Sequence, residues 1–450
     1  MKNYNLPDGY SLLQSFARTY KQVKDPIKAM EESMAKFNGT YAVNLGTNRL
    51  IATQDPGFID YVLKTNHKNY YKSAILTEQL GRFLGKGLLT SNGEYWLKQR
   101  RLIQPGFHPD KIHALYRIIS RTVDHFLRSF PTGEKVDVYP LMNTLAFEIV
   151  INTLFNVKVP PETRTELSRF ITDTQDFVIK DIRQPHKSWW FKVSGEVGKN
   201  LKRAEGARTI IRSIIRTRKN NAPPSLKLLR ASRKFDDLLD MLLDARYEDT
   251  GLPMDENQVI DEILILLIAG HETTANALSW TLYLLANHPQ ELQRLRETTH
   301  SLTVEEAVVH EHLNAVIKES MRLYPPAWIS DRVALHDDAY LQYTYPRDTI
   351  LILFYYGLHR DEKHWQDPQA FKPERFLKGL KDKPKAYYPF GAGPRLCIGN
   401  NFAMAEMTLF LQAMIHRFEI LPTTEVPQLK PLVTLRPDHV VLGIKNIGQS

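Results

Sequence analysis

The chain contains, at residues 390–399, the stretch Phe390-Gly391-Ala392-Gly393-Pro394-Arg395-Leu396-Cys397-Ile398-Gly399. It includes the only cysteine among 450 residues, so Cys397 cannot form an internal disulfide. The glycines permit backbone conformations and close approaches that other residues resist. An apolar helix pattern follows from Asn400, and its positive dipole end is expected to lower the thiol pKa. A lone cysteine is most often an inert buried residue, but this setting predicts a thiolate aimed at a metal ion.

This stretch resembles the haem-binding loop of the cytochrome P450 family, F-x-x-G-x-R-x-C-x-G. Phe390, Gly393, Arg395, Cys397 and Gly399 occupy all five fixed positions. The resemblance implies that these residues bind haem b, with Cys397 as the axial ligand of the iron and Arg395 paired with a propionate. A thiolate ligand donates electron density to iron and favours O–O cleavage, so O₂ is the implied co-substrate.

A long apolar helix is predicted to begin after Asp255 and to run to about Asn287. Asp255, with Gln258 three residues later, is typical of a helix N-terminus. About 33 residues at 1.5 Å each span roughly 50 Å, so the helix must cross the centre of the molecule. Small residues at Ala269 and Gly270 interrupt its apolar pattern and predict a planar ligand packed against them.

The middle of this helix resembles the distal-helix motif of the same family, (A/G)-G-x-(D/E)-T-(T/S). The matching segment is Ala269-Gly270-His271-Glu272-Thr273-Thr274. The resemblance implies that Thr273 and Glu272 are catalytic: Thr273 orients dioxygen and Glu272 relays protons to it, which is general acid catalysis. We expect His271 to have no such role.

Further segments match the family's propionate-binding and structural patterns. Trp96 and Arg100 fit W-x-x-x-R, and the resemblance implies that they and Arg332 bind haem propionates. Indole and guanidinium N–H groups are suitable donors to carboxylates.

A second pair of segments matches the patterns E-x-x-R and P-E-R-F. Glu319 and Arg322 are three residues apart and so share a helix face. In isolation such a pair is most often a surface ion pair. The resemblance instead implies a buried structural triad of Glu319, Arg322 and Arg375 near the proximal haem face.

The resemblance also places the wall of a substrate pocket in mostly apolar segments, which predicts a hydrophobic substrate. The residues expected to line it are Phe177, Leu266, Ala327, Trp328, Ile329 and Val433. Two alternatives stay open for Trp189-Trp190-Phe191: these residues line the entrance of the pocket, or they form an aromatic core cluster. Tyr71 and Arg82 are candidate anchors for a fatty-acid carboxylate.

Composition and charge describe a globular protein with a large core, since 43% of residues are hydrophobic and 24% are charged. Helical patterns dominate, with short strands after Thr40 and Pro325. We therefore predict a mainly α (α+β) fold, as one helix-rich domain over residues 1–450 with small β-sheets. The resemblance implies the cytochrome P450 fold, with haem between the long distal helix and the proximal Cys397 loop.

The net charge of +9 comes with no nucleic-acid motif. The segment from Arg212 to Lys234 contains eight basic residues and no acidic one. Two interpretations stay open: a solvated face, or a docking patch for an acidic redox partner. The N-terminus lacks a signal-peptide core, and no stretch approaches the roughly 20 apolar residues of a membrane span. These features predict a cytoplasmic, monomeric protein with no membrane span.

The leading hypothesis is a haem-thiolate monooxygenase that inserts one oxygen atom from O₂ into a hydrophobic compound, such as a fatty acid, a terpenoid or steroid-like molecule, or a xenobiotic. Electrons would come from a separate ferredoxin, flavodoxin or flavin reductase. An H₂O₂-dependent peroxygenase and a non-catalytic haem sensor or carrier are the alternatives. Both have less need of the pair Glu272 and Thr273.

Overall fold

The computed structural model describes residues 3–15, 18, 24–45, 48–156, 159–184, 187–220, 237–377 and 386–448. Within these ranges most residues belong to helices. The α-helices are α1 (Pro26–Lys36), α2 (Pro56–Asp60), α3 (Gly81–Leu84), α4 (Gly93–Ile103), α5 (Pro109–Arg128), α6 (Val138–Phe155), α7 (Pro161–Arg183), α8 (Ser188–Val193), α9 (Glu196–Asn220), α10 (Leu238–Asp244), α11 (Glu256–Ala286), α12 (Pro289–Thr299), α13 (Val304–Val309), α14 (Glu311–Leu323), α15 (Tyr355–Leu358) and α16 (Asn400–Arg417).

Short turns of other helix types join these elements, and small sheets lie beside them. The 3₁₀ turns are His67–Asn69, Gln104–Phe107, Pro373–Phe376 and Gly393–Arg395, and the π turns are Tyr61–Thr65 and Ile75–Leu80. The strands are β1 (Gly9–Tyr10), β2 (Thr40–Leu45), β3 (Asn48–Thr53), β4 (Tyr70–Tyr71), β5 (Gly133–Asp137), β6 (Ser330–Ala334), β7 (Asp338–Tyr340), β8 (Tyr343–Tyr345), β9 (Ile350–Leu353), β10 (Phe418–Leu421), β11 (Leu429–Pro431), β12 (Leu435–Pro437) and β13 (Val441–Asn446).

The largest sheet has six strands in the order β1-β2-β3-β9-β6-β4, so the four N-terminal strands lie beside β6 and β9. A three-stranded sheet, β10-β13-β5, and the pairs β11-β12 and β7-β8 complete the β structure. The main apolar core lies among the helices, and two smaller clusters lie against the large sheet. The mainly α class with small sheets is confirmed.

Helix α11 crosses the main core, as its sequence predicts. Asp255 caps its N-terminus by accepting a hydrogen bond from the Gln258 backbone N–H at 3.0 Å, and Asn287 follows its last residue. Its 31 residues span about 46 Å. Most of its side chains are buried, largely against α6.

Helix α6 is the one helix in the described part of the chain that is long and apolar enough to cross a membrane. The expectation that no segment has such a length and composition was wrong. However, 61% of this helix is buried inside the fold, where it packs against α11 and α5. A helix buried in the core of a globular protein can be apolar on all sides, so it can have the same composition as a membrane-spanning helix.

Candidate active site

The loop before Cys397 is held in one backbone conformation. Gly391 and Gly393 have φ angles of 69° and 67°, in the left-handed region that favours glycine. A Cβ atom at Gly393 would lie 2.0 Å from the carbonyl oxygen of Leu63, so a larger residue would collide with the backbone. The Cys397 N–H donates to the Phe390 carbonyl at 3.0 Å. These contacts fix the position of the sulfur relative to the start of α16.

The environment of the Cys397 thiol differs from the sequence expectation. Burial raises the pKa of the thiol, although the Gly399 backbone N–H and the charge of Arg100 act to lower it. The prediction of a lowered pKa was therefore wrong, because desolvation outweighs both stabilising groups. A thiol in this position ionises when a metal cation binds it. This behaviour suits a permanent ligand better than a free nucleophile.

Side chains on one face of α11 keep accessible surface inside the main core. Ala269 is exposed and Thr273 is half-buried, although both lie in the middle of a helix whose other side chains are mostly buried. Leu266 lies one turn before Ala269 on the same face and is also partly buried. Cys397 keeps accessible surface as well. We interpret these side chains as the two walls of one internal cleft.

Gly270 is explained by helix packing. A Cβ atom at Gly270 would lie 3.0 Å from Cγ2 of Val150 on α6, which is a tight contact. The missing side chain therefore lets α6 and α11 approach each other. Of the two small residues predicted to contact a planar ligand, Ala269 is the one whose side chain is exposed.

Four cationic side chains gather near the Cys397 loop: Lys72, Arg100, Arg332 and Arg395. Burial, together with the charges of Arg332 and Arg100, lowers the pKa of Arg395 to about 9. Burial and the charges of Arg395 and Arg332 likewise hold the pKa of Lys72 well below its ordinary value, and only Asp331 opposes this effect. An excess of buried positive charge is costly unless anions compensate it. The cluster therefore fits the two propionates of haem b.

The guanidinium of Arg395 is fixed by several contacts. It donates to the Ser91 carbonyl at 2.9 Å and to Oδ1 of Asn92 at 3.0 Å. It also lies 3.8 Å from the centre of the Trp96 ring, a cation–π contact with a buried indole. These contacts bring Arg395 and Trp96 together, which is consistent with their predicted role of binding haem propionates.

Arg100 and Lys72 extend the cluster on two further sides. Arg100 donates to the carbonyl of Leu396, the residue before Cys397, at 2.9 Å. Lys72 donates to the Leu89 carbonyl at 2.8 Å. Sequence reasoning missed Lys72, because no motif includes it and several of its neighbours in space lie hundreds of residues away in the chain.

Two carboxylates of α11 tie residues 85–89 to that helix. Asp261 accepts a hydrogen bond from the Lys86 N–H at 2.8 Å, and Glu262 accepts one from the Leu88 N–H at 3.1 Å. Burial raises the pKa of Glu262 to about 8. Residues 85–89 are therefore fixed by two acids of α11, the half-buried Asp261 and the buried Glu262, that the sequence motifs do not include.

Glu272 lies buried beside Thr273. The amide of Gln175 on α7 donates to its Oε2 at 2.7 Å. Burial raises the pKa of Glu272, while a hydrogen bond with Thr434 and the charge of Arg436 lower it less. A cavity of about 670 Å³, lined by α6, α7 and α11, reaches this carboxyl group from the surface. Glu272 therefore lines this cavity although its side chain is buried.

The hydroxyl of Thr273 donates to the Ala269 carbonyl one turn back at 2.6 Å. This bond fixes the hydroxyl on the cleft side of α11. His271 packs edge-on against Phe147, and burial lowers its pKa to about 4, so it is neutral at physiological pH.

Glu319, Arg322 and Arg375 form a connected network. Glu319 and Arg322 are fully buried and make two hydrogen bonds of 2.8 Å, and Arg375 reaches Glu319 at 3.3 Å. Arg322 also donates to the carbonyls of His359 at 2.8 Å and Pro368 at 2.7 Å. The network joins α14 to the segment that leads towards the Cys397 loop.

We expect His359 to make the fold sensitive to acid. Burial and the charges of Arg322 and Arg360 lower its pKa to about 3, and its Nε2 accepts a hydrogen bond from the Tyr388 N–H. The unfolded chain binds a proton near pH 6.5, so stability is fully present above that pH and is lost towards pH 3, at up to about 1.4 kcal/mol per pH unit.

The test compares melting temperatures of the native protein and His359→Gln from about pH 7.5 to about pH 5. A glutamine can still accept from Tyr388 but does not titrate, so its melting temperature should fall less steeply with acid. Parallel curves for the two proteins would contradict this assignment.

The predicted pocket residues separate into two groups. Phe177 packs edge-on against Phe83 at 5.7 Å and against Phe191 at 5.9 Å, in the main core beside α11. Trp328 is different: its N–H donates to the Leu432 carbonyl at 3.0 Å and its ring belongs to a cluster beside the large sheet. Its ring is therefore not part of the wall that we assign to the pocket.

The remaining pocket candidates show intermediate positions. Ala327 is half-buried, Ile329 packs against the sheet-side cluster, and Val433 is 40% exposed. They stay predictions.

Tyr71 and Arg82 do not form a common anchor. Arg82 pairs with Asp181 at 3.4 Å, so its charge is already compensated. The Tyr71 hydroxyl would lie 2.7 Å from a Cβ atom at Gly93, and Tyr71 acts electrostatically on Arg395. Tyr71 therefore lies beside the cationic cluster, and the role of Tyr71 and Arg82 as carboxylate anchors stays a prediction.

Comparison with known proteins gives the family. The family model for cytochrome P450 matches residues 7–447. A probable cytochrome P450 4s3 of Drosophila melanogaster is 29% identical, over 90% of this chain and 84% of its own length. Cyclooctat-9-en-7-ol 5-monooxygenase of Streptomyces melanosporofaciens is also 29% identical, over 84% of this chain and 82% of its own length.

Solved structures show the same fold. The heme domain of cytochrome P450DA has a TM-score of 0.84 at 20% identity, over 98% of this chain and 97% of that one. CYP175A1 from Thermus thermophillus has a TM-score of 0.78 at 25% identity, over 97% of this chain and all of that one. The chain belongs to the cytochrome P450 family. It is a monooxygenase that uses haem b as cofactor and O₂ as co-substrate.

Proposed function

We propose that this cytochrome P450 oxygenates a neutral, hydrophobic compound in the cleft along α11, with electrons from a separate ferredoxin, flavodoxin or flavin reductase. Two observations support this most: Cys397 is accessible on a fixed loop, and the buried Glu272 lines a cavity of about 670 Å³. One is suited to hold a metal and the other to supply protons.

Haem b would be held by Cys397 and by the cationic cluster. Arg100, Arg332 and Arg395 supply donors for the propionates, and Trp96 supports Arg395 from one side. When bound, the thiolate-ligated haem supplies the electron transfer and O₂ activation that no amino-acid side chain can provide.

Glu272 and Thr273 would move protons towards the cleft. The raised pKa of Glu272 keeps part of its population protonated nearer to neutral pH, so it can act as a general acid. Water in the cavity beside Gln175 would protonate Glu272 again after each proton that Glu272 donates. Thr273 lies next to it in sequence and has its hydroxyl at the cleft.

The substrate is proposed to be neutral because both candidate carboxylate anchors already interact with other side chains of the protein. Arg82 is paired with Asp181 and Tyr71 lies near Arg395. The walls near Phe83, Phe177 and Leu266 are apolar. A relative is named as a monooxygenase of cyclooctat-9-en-7-ol, an alcohol without a carboxylate. A terpenoid or steroid-like molecule of this kind is therefore favoured.

The docking site of the electron donor is not assigned to residues 212–219. Arg212, Arg216 and Lys219 pair with Glu256, and Arg218 pairs with Asp237 and Asp240. Each of these cations thus has an acidic neighbour, although Arg212, Arg216 and Lys219 share the one carboxylate of Glu256. The rest of the run, from Lys227 to Lys234, lies outside the described residues.

We expect Thr273→Ala to lower the yield of oxygenated product per NAD(P)H consumed by about 10-fold or more, since positioned proton donors contribute about 10²–10⁴-fold. The measurement uses a ferredoxin, or a flavodoxin, with its reductase, and a substrate found by a haem spin-state screen. Thr281→Ala is a matched control, because the Thr281 hydroxyl makes the same bond one turn back on α11, at 2.7 Å.

The outcome also separates the alternatives. A peroxygenase would form product with H₂O₂ alone and be insensitive to Thr273→Ala. A haem sensor or carrier would form no product under either condition. Unchanged coupling in Thr273→Ala, with normal NAD(P)H-dependent turnover, would contradict the proton-delivery role.

A further inference from the structure

We propose that His300 and His416 bind a divalent transition-metal ion at the surface of the protein. Imidazole nitrogen is a preferred ligand of Zn²⁺, Cu²⁺ and Ni²⁺, whereas Mg²⁺ and Ca²⁺ prefer oxygen. His300 follows the last residue of α12, and His416 lies in the last turn of α16. From Asn400 to His416, α16 extends about 24 Å, so this histidine pair lies well away from the Cys397 loop.

The two histidines line one cavity between α5, α12 and α16. Its volume is about 880 Å³, and Asp124 and Glu297 also line it. Glu297 accepts a hydrogen bond from Gln293 at 2.8 Å and pairs with no cation among the described residues, so its charge is available to offset that of a metal ion. In the described part of the chain, no group of three or more His, Cys, Asp or Glu side chains can hold a metal. Water in the cavity must therefore complete the coordination of the two histidines.

The distance between the two imidazole rings suits a shared metal ion. Their centres are 5.9 Å apart and their planes are inclined by 80°. With metal–nitrogen bonds of about 2.1 Å and a tetrahedral angle, two ligating imidazoles have ring centres about 5–6 Å apart. His300 is exposed and His416 is half-buried, so small rotations of the side chains can bring one nitrogen of each ring to the same ion.

Hydrogen bonds decide which nitrogen of His416 can bind the metal. The Thr299 hydroxyl donates its single proton to the Leu295 carbonyl at 2.7 Å, so it must accept from Nε2 of His416 at 2.9 Å. Nε2 therefore carries the proton of the neutral ring, and Nδ1 keeps the lone pair that a metal needs. Burial and the charges of His300 and Arg296 lower the pKa of His416, which favours this neutral ring. Metal-ligating histidines usually donate their second ring N–H to an oxygen in this way.

His300 has a comparable partner. Its Nδ1 lies 2.7 Å from the hydroxyl of Ser301, which leaves Nε2 for a metal when the hydroxyl accepts the Nδ1 proton. Ser301 has a φ angle of 67°, in the left-handed region that serine adopts only at a cost in free energy. Such strained residues are concentrated at functional sites. The turn that presents His300 is therefore consistent with a binding site.

The two arginines of the cavity wall are engaged by other groups. Arg417 pairs with Asp124 at 2.5 Å. Arg296 donates to the carbonyls of Ile415 and Phe418, both at 2.8 Å, and so directs its guanidinium at the end of α16. A metal ion held between α12 and α16 would add a second link between the ends of these helices.

The test is isothermal titration calorimetry of the haem-loaded, chelator-treated protein with Zn²⁺, and with Mg²⁺ as an ion that prefers oxygen. Haem occupies Cys397 in this preparation, so the thiol cannot bind Zn²⁺. We expect one Zn²⁺ to bind per chain, Mg²⁺ not to compete, and the melting temperature to rise with Zn²⁺ concentration, because the ion binds the folded chain. His300→Ala and His416→Ala should each weaken Zn²⁺ binding by about 10-fold or more.

The role of the Thr299 hydroxyl gives a sharper test, because both histidines stay in place. Thr299→Val removes the acceptor of the His416 proton and should weaken Zn²⁺ binding by about 10-fold. Thr299→Ser keeps a hydroxyl and should retain the native affinity. Native affinity in Thr299→Val would contradict the assignment of Nδ1 as the ligand atom.

His364→Ala is the matched control, since His364 is also exposed but lies on the segment after α15. The metal-free melting temperature and the haem spectrum should be native in His300→Ala and His364→Ala. Equal Zn²⁺ affinity in the native protein and in His300→Ala with His416→Ala would overturn the proposal, as would the absence of Zn²⁺ binding. A Zn²⁺-dependent dimer that His300→Ala abolishes would also overturn it, because the ion would then bridge two copies. Zn²⁺ binding requires no turnover, so its failure is distinct from failure of the proposed function.

Discussion

Replacement of Cys397 by alanine is expected to abolish the thiolate spectrum of the haem and all oxygenation. Cys397 is the only cysteine of the chain, so no other sulfur anion can take its place. Electron donation from the thiolate is what favours O–O cleavage, and a protein without it can bind haem only through the propionates and the cleft walls. The measurement is the reduced, CO-bound difference spectrum together with product analysis.

The fold should survive this change. The Cys397 side chain is accessible and its sulfur fills no packed core, so alanine replaces it at little cost to the apoprotein. The apoproteins of Cys397→Ala and the native sequence should therefore unfold at similar temperatures. Persistence of the thiolate band in Cys397→Ala would refute the assignment of the ligand.

Elements whose signals are local in the chain were the ones that the sequence predicted well. The cap of α11 depends on Asp255 and Gln258, which are three residues apart, so its start could be placed correctly. The conformation of the Cys397 loop depends on Gly391 and Gly393, whose positive φ angles glycine alone adopts easily.

Features that depend on distant segments could not be predicted in the same way. Lys72 joins the cationic cluster because β4 pairs with β6, which places it near Arg332. The direction of the Cys397 pKa shift depends on the amount of protein around the sulfur, which no motif encodes. Trp328 packs against the sheet side because its N–H is bound by Leu432, more than a hundred residues later.

The same contrast explains the exposed and buried parts of Trp189-Trp190-Phe191. The sequence left a pocket entrance and a core cluster as alternatives. In the structure Phe191 is buried in the core, and Trp189 and Trp190 are exposed on the surface. A short helix turns successive residues by about 100°, so three consecutive aromatic residues cannot share a face. Which of them faces inward depends on the contact of Phe191 with Phe177.

The largest loss of stability is expected from Arg322→Met, which should lower the free energy of unfolding by about 3–5 kcal/mol. Methionine keeps much of the volume but removes both hydrogen bonds to the fully buried Glu319, which then keeps only the longer ion pair with Arg375 at 3.3 Å. The carbonyls of His359, Pro368 and Ala370 lose their donor as well. The measurement is urea unfolding of the haem-loaded protein, followed by circular dichroism.

Arg375→Met is the matched comparison, because Arg375 reaches the same carboxylate at 3.3 Å but is 13% exposed. Water can replace part of its contribution, so we expect a loss below about 3 kcal/mol. Equal losses for the two variants would mean that solvent access does not control the cost of breaking this network. Because the network leads through His359 to Tyr388 and the Cys397 loop, Arg322→Met should also release haem more readily than Arg375→Met. A stable Arg322→Met protein with full haem content would contradict a structural role for the triad.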